Sequence, residues 1–492
     1  MSRPSVAWGG LTRAGLAVVA GAGIVYASAT LPGVTSLSPA ADTAAASTPQ
    51  QVSVTSSSLT CPGPETEGLA GVAAVPGTTT VYAASAPAAA LDGVTLPAEA
   101  GALSVLTQAA GTVLVTSDQR GARVEAAAAG AISPAVQGEA ALAPAVAALQ
   151  TTLVAAGDER AQVAAACGTP KADLWFVAGG GQSTRRERVV LSNPGGNTVS
   201  AEVTILGGGG VLPSAAGHTV TVPPHGRTSV LVDALVGPEN TPVVHVVATG
   251  GVLFGVLEDS WIDGAVGRGA DDAVPTADPA NEQVIPAVIV DGPARLRVAV
   301  PGTDETVVQA RLLTADGPTP LPDDGVLRVP GGSVREIDLG SVPAGSYAIE
   351  VKADHPVVAG AMTERRGDGT GLSDFGWTAG SAPIDVIAGT PLPDNATARL
   401  TLVATGDAAS ATVVTQSADG EQSTTYSVPA DSVTTVDVSG KRAVWVRHTG
   451  GTLRAGVGFN LGGSPTEPLY SAVPLGPLVV SATQVPVQQV SR

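Results

Sequence analysis

One pattern constrains this 492-residue chain more than any other: a segment opening on Arg and closing on Gly seven residues later, with apolar residues alternating between, occurs three times. It reads Arg188-Val-Val-Leu-Ser-Asn-Pro-Gly195, then Arg295-Leu-Arg-Val-Ala-Val-Pro-Gly302, then Arg399-Leu-Thr-Leu-Val-Ala-Thr-Gly406. Two further echoes follow each copy. Val222-Pro223, Val329-Pro330 and Val428-Pro429 lead to Asp233, Asp338 and Asp437, and glycines at 255, 360 and 456 close short apolar runs. Alternation of this kind is the signature of a half-buried strand. A period of about 100 residues exceeds solenoid units and fits a self-sufficient β sandwich. The expected fold class is therefore all-β: tandem immunoglobulin-like sandwiches after an N-terminal apolar helix. A propeller would need two sets of landmarks per repeat, and there is one.

The N-terminus carries Arg3 and Arg13, then an uncharged apolar run from Ala14, with no further charge until Asp42. A basic start followed by such a run is an export signal. Ala27-Ser28-Ala29 fits a cleavage site, while residues 14–31 approach the length that spans a bilayer. Residues 1–31 are thus read as a signal anchor or a signal peptide, placing the bulk of the chain outside the cytoplasm, anchored or secreted. Residues 32–58, rich in Ser, Thr, Ala, Pro and Gln, read as a flexible linker. The expected domains are an N-terminal β domain over 59–170 and three sandwich repeats over 171–285, 286–385 and 386–478, with a tail over 479–492 that reads as an edge strand or as disordered. The short proline-bearing links should stiffen the joints, giving a rod of separate domains. In the first domain the Ala-rich stretch 139–149 has helical propensity but, interrupted by Pro144, fits strand and loop as well, and residues 262–282 read as a loop.

The net charge of −18 excludes a phosphate backbone as partner, so no nucleic acid is expected. Lysine occurs only at 171, 352 and 441; arginine supplies the remaining positive charge. The two cysteines, Cys61 and Cys167, flank the first domain, and in an exported chain they read as a disulfide.

Nothing in the sequence assembles a reaction. The histidines, at 218, 225, 245, 355 and 448, are scattered, and no nucleophile elbow, P-loop or zinc motif is present. Catalytic, cofactor and metal residues are all expected to be none. Asp374-Phe-Gly376 copies a kinase tripeptide without its companions. Asp271-Asp272 and Asp368 read as solvated loop acids, with weak calcium binding as the alternative. Arg185-Arg-Glu-Arg188 reads as a solvated turn before a strand, with an anionic polymer as the alternative contact. With aromatics at 3% of the chain, Trp175, Trp261, Trp377 and Trp445 stand out as domain contacts or as surfaces for a partner or glycan. Val444 and Val446 should face one side of a strand and Trp445 the other.

Cys61-Pro62, then Ala166-Cys-Gly-Thr-Pro170 followed by Asp173-Leu-Trp-Phe-Val-Ala-Gly-Gly-Gly181, resembles a family of exported actinobacterial proteins of unknown function. In that family the gene often lies beside one for a large membrane glycosyltransferase. The resemblance implies an envelope-associated protein with no catalytic residues to carry over. The leading expectation is a non-catalytic exported envelope scaffold or partner protein, held to the membrane through residues 14–31 and working with a membrane glycosyltransferase or an envelope glycan. A glycan-binding or adhesive module and an envelope hydrolase are the other two readings.

Overall fold

The three Arg-to-Gly segments lie on strands, Arg185–Ser192, Ala294–Ala299 and Thr397–Ala404, each the second strand of its sandwich. Alternation gives each strand two apolar faces. Val189, Leu296 and Leu400 enter their own sandwich's core. Val190, Ala299 and Val403 point the other way, into clusters shared with a neighbouring sandwich. The computed structural model describes residues 50–131, 133–182, 184–214 and 219–484. One unit comprises residues 1–51 with 483–492; residues 52–482 form the other, and the fold lies in the latter. The apolar segment 14–31 is outside the described residues. Among the described residues no helix is long and apolar enough to cross a membrane.

Residues 52–482 fold as four two-sheet sandwiches built to one plan. The first consists of strands Ser56–Thr60, Thr78–Ser85, Leu103–Thr107, Val113–Ser117, Arg123–Ala128, Pro134–Glu139, Val146–Val154 and Ala161–Ala166. Its strands run first-sixth-third-fourth in one sheet and fifth-second-seventh-eighth in the other. The second sandwich (173–273), the third (280–379) and the fourth (387–475) repeat this order. In the second and third the fourth strand is broken in two, and in the third the sixth and seventh strands are one bent strand, Gly345–Arg366. The plan therefore occurs four times, once more than the sequence echoes.

Turn chemistry fixes the same hairpin in three copies. Gly207↔Gly210, Thr314↔Gly317 and Ser417↔Gly420 close two-residue turns between third and fourth strands. Gly210, Gly317 and Gly420 all have positive φ. The glycines at 360 and 456 have another cause. A Cβ on Gly360 would stand 3.0 Å from Val177 Cβ, and one on Gly456 2.9 Å from Ala287 Cβ. Each lets one sandwich approach the sandwich before it.

Several expectations need correction. The stretch 139–149 takes the strand-and-loop alternative: a single 3-10 turn, Ala140–Leu142, is followed by strand Val146–Val154, because Pro144 breaks the helix and the alanines fit a tight interface. Residues 262–282 contain the strand Val266–Ala273. Strand Ser56–Thr60 belongs to the first sandwich, although residues 56–58 fall in the stretch read as linker. Residues 285 and 286 sit inside strand Ala280–Val290, which opens the third sandwich. In the tail, by contrast, Ser481–Gln484 is a strand, one of the two outcomes expected there.

The rod is also overturned. Consecutive sandwiches share apolar clusters: Leu69 and Ala165 with Val190, Phe254 and Val256; Trp175, Val177 and Val243 with Ala299 and Val358; Val284 and Ala348 with Val403 and Val433. The fourth then packs on the first, where Ala84, Ala86, Leu91 and Ala147 meet Ile387, Val414 and Trp445. The circuit of contacts is closed. Its driving force is the second apolar face that each sandwich would otherwise leave in water.

Cys61 and Cys167 are bonded, with Cα atoms 4.4 Å apart, joining the end of the first strand to the end of the eighth across 106 residues of sequence. Replacing both with Ala should cost up to about 4.7 kcal/mol by loop-closure entropy, less whatever the adjacent Thr60–Gly168 pairing retains. Urea unfolding of the double variant against the parent measures this; no shift in midpoint would contradict it.

Candidate functional site

The eighth strands of all four sandwiches, Ala161–Ala166, Val266–Ala273, Ser373–Ala379 and Ser471–Leu475, meet one another. Each is the edge of its sheet, so each brings unpaired backbone groups to a buried place. Polar side chains satisfy them. The fully buried Asp374 carboxylate accepts from the backbone N–H of Gln162 and of Tyr470, both at 3.0 Å, and from Phe375 at 3.1 Å. Three sandwiches are thus joined at one carboxylate. Gln162 accepts from Leu461 N–H and donates to Phe459 O and Ser471 Oγ. Asp271 accepts from Trp377 N–H at 2.7 Å. Gly269 faces Asp374 with φ +112, and a Cβ there would stand 2.2 Å from Asp374 Oδ1.

Beside this centre, strand Arg185–Ser192 carries Arg185 into a buried pair with Asp259. The same carboxylate accepts from Trp377 Nε1 at 2.7 Å and from Gly179 N–H at 3.2 Å. Glu187 accepts from Gly180 N–H at 2.8 Å; burial, and then Asp259, push its carboxyl up to about 7. The three-glycine turn at 179–181 therefore serves to bring backbone N–H groups onto two buried acids. Arg297 reaches across from the third sandwich and donates to the carbonyls of Ala178 and Pro242, both at 2.8 Å, and of Gly179 at 2.9 Å.

A third group is acidic and underpartnered. Glu65, Glu258 and Asp272 each place a ligand-capable oxygen within 4.8 Å of the others, and all three are buried. Burial pushes Glu258 up to about 7. Glu65 is held well above the usual carboxylate range by burial and by Asp272, and Asp272 by burial and by Glu258. Glu65 and Glu258 line a cavity of about 50 Å³ together with Thr66, Arg186, Arg188 and Trp261. That volume admits an ion or a few waters and is far below a sugar-sized pocket.

A wider crevice, about 500 Å³, lies where linkers and first strands of the sandwiches converge. Its lining includes Ser58, Leu59, Leu174, Thr276, Thr390 and Pro477. Lys171 is the one charged side chain on it. Such a lining offers shape and backbone contacts, not the paired titratable groups of acid–base chemistry.

The residues singled out in the sequence are placed as follows. Trp445 is fully buried in the contact between the fourth and first sandwiches and donates to Gln416 Oε1 at 2.9 Å; Val444 and Val446 enter the core of their own sandwich. Trp377 is 3% exposed under Arg297, and Trp175 is 7% exposed, stacked at 3.8 Å on His245 between the second and third sandwiches. These three rings are domain contacts and present no open face to a partner. Trp261 is half-buried between the guanidinium groups of Arg185 and Arg268. The reading of 185–188 as a solvated turn is overturned, since Arg185 and Glu187 are buried strand residues. So is the reading of Asp271-Asp272 as loop acids; both are buried on the strand Val266–Ala273. Asp368 is exposed as expected. His245 faces Asp173 at 3.2 Å, and His448 lies against the carbonyls of Asp385 and Gly451. His218 is outside the described residues. The four described histidines do not converge on one place.

Sequence reasoning passed over Glu65, Glu258 and Asp259, and took Asp374 only as part of a copied kinase tripeptide. The signal was available for two of them: Glu258-Asp259 and Asp271-Asp272 are acidic pairs inside apolar strands, which a solvated turn does not require.

The chain matches the family of unknown function DUF5719 over residues 115–439 and belongs to that family. No curated protein matches the chain.

Two outcomes follow from these groups. Arg297→Ala would leave Glu336 and the carbonyls of 178, 179 and 242 without their donor, and should cost about 3–5 kcal/mol in thermal or urea unfolding. A loss below about 1 kcal/mol would show that the tie is dispensable. The second outcome concerns pH. Glu65, Glu187, Glu258, Asp271, Asp272 and Asp374 all hold their protons to higher pH folded than unfolded. Folding therefore takes up protons above about pH 4.5, and stability falls as pH rises through about 7. In chelator-treated protein, stability at about pH 8 should lie at least about 2 kcal/mol below that at about pH 5. The reverse trend would contradict the assignment.

Proposed function

We propose that this DUF5719 protein is a non-catalytic exported scaffold or partner protein of the cell envelope, acting with a membrane glycosyltransferase. The observation that carries the reading is the use made of the polar residues. The buried acids and arginines bind backbone groups across sandwich boundaries, as Asp374 and Arg297 do, instead of converging on an open pocket. Catalysis needs convergence of that second kind. Location outside the cytoplasm, with residues 14–31 as anchor or cleaved signal, is supported by the basic-then-apolar N-terminus and by the Cys61–Cys167 bond. The immunoglobulin-like reading of each sandwich draws on the second-fifth and third-sixth strand pairings, which an immunoglobulin sandwich also has. The first strand beside the sixth and the seventh beside the second exchange the two flanking positions of that fold.

A glycan-binding role is less well supported, because an aromatic platform needs exposed rings and three of the four tryptophans named above are buried. The test is to cross-link and purify the full-length chain from its own membranes, identify what comes with it by mass spectrometry, and screen the same preparation on envelope glycans. Recovery of a membrane glycosyltransferase in near-stoichiometric amount is the expected result. Turnover of a glycan that Glu258→Gln abolishes would overturn the non-catalytic reading.

A further inference from the structure

Strand register puts acids where acids should not be. Glu258 pairs directly with Asp272, and the next pair is Asp259 with Asp271. Like charges directly opposite one another destabilise a sheet. On one face the conflict is answered: Asp259 is met by Arg185 and Trp377 Nε1, and Asp271 by Trp377 N–H. On the other face Glu258 and Asp272 meet a third acid, Glu65, from the first sandwich.

No basic group among the described residues makes an ion pair with these three. Arg227 lies near, but its guanidinium is held by the carbonyls of Pro62 and Pro64, both at 2.9 Å, and of Glu67. Arg188 is a second cation acting on the cluster, and Arg186 lines the same cavity. Glu65 is 7% exposed, Glu258 5% and Asp272 3%, yet Glu65 Oε2, Glu258 Oε2 and Asp272 Oδ1 have no hydrogen-bond partner. Among the described residues, the donor that reaches the cluster is Thr66 N–H, at 3.3 Å from Glu258 Oε1. Buried polar atoms are seldom left this way.

We propose that Glu65, Glu258 and Asp272 bind one hard divalent cation, calcium by preference, at the seam between the first and second sandwiches. Three arguments carry it. The ligand set is all oxygen, which selects hard cations. Oxygens on opposite sides of a calcium ion, at ~2.3–2.6 Å each, stand ~4.6–5.2 Å apart, and the three carboxylates fit inside a 4.8 Å span. Charge also favours it. The three ligand carboxylates outnumber the two guanidinium groups that act on them, Arg188 and Arg227, so the cluster keeps a negative charge that a bound cation offsets. The cavity that Glu65 and Glu258 line supplies room for the waters that complete the shell. The site does not depend on the scaffold reading. Its consequence is structural: the ion would join a first-sandwich loop to the last two strands of the second.

The test uses the full-length chain, stripped with chelator and titrated with calcium chloride by calorimetry at about pH 7.5 and about pH 6. The expected result is one ion per chain, with proton release and weaker binding at the lower pH, because the ligands must give up their protons. Terbium in place of calcium should luminesce on excitation of tryptophan, since Trp261 lines the same cavity. Glu258→Gln and Asp272→Asn should each weaken binding at least about tenfold. Glu305→Gln, an exposed acid elsewhere, should leave binding unchanged. No stoichiometric calcium uptake by the stripped parent at about pH 7.5 would overturn the site, as would unaltered uptake in both variants. If either variant fails to fold, the parent's stoichiometry, proton release and terbium emission still decide the question.

Discussion

Four edge strands brought face to face in a buried place create the constraint on which the rest of this structure depends. An edge strand keeps half its backbone groups unpaired, and burying them unpaired costs free energy at every residue. Here the eighth strand of each sandwich is such an edge, and the four lie against one another. Asp374 resolves the conflict for three of them at once, with Gln162, Asp271 and Ser471 completing the set. A burial that would otherwise oppose association thereby becomes directional. Each polar side chain fits one neighbour in one register, and the apolar clusters around it supply the driving force.

Arginine does the same work at the boundaries between sandwiches. Arg227 caps carbonyls of the first sandwich from the second, Arg297 those of the second from the third, and Arg454 a carbonyl between the third and fourth. Arg123 donates from the first sandwich to Leu392 O and Asp394 in the fourth. A planar fork of fixed donors suits this task, whereas an ammonium group is a hydrated point charge. The scarcity of lysine thus has a physical counterpart in what the cations are used for.

Much of this was legible in the sequence. Alternation and turn glycines placed the second strands and the third-to-fourth hairpins, and the position of Trp445 between Val444 and Val446 gave its outward orientation correctly. The first sandwich hid its kinship because its second strand, Thr78–Ser85, has no Arg and its interface residues are alanines, which carry no distinctive pattern. Closure of the circuit was not legible either. A strand apolar on both faces reads the same whether its second face meets a neighbouring sandwich or an adjoining layer of its own. The acid cluster was missed for a related reason. Glu65 lies far from Glu258 and Asp272 in sequence, and nothing local announces that the three meet.

The central claim is that the fourth sandwich returns to the first. Asp92 and Arg447 lie on the two sides of that contact, Oδ2 to Nη1 at 3.5 Å, and the chain has no free cysteine. With Asp92→Cys and Arg447→Cys introduced together, a short bifunctional thiol reagent should join the two within a single chain, identified by mass spectrometry of the linked peptides. Both thiols reacting with a monofunctional label while no intrachain link forms would contradict the closed circuit and restore an open string of domains.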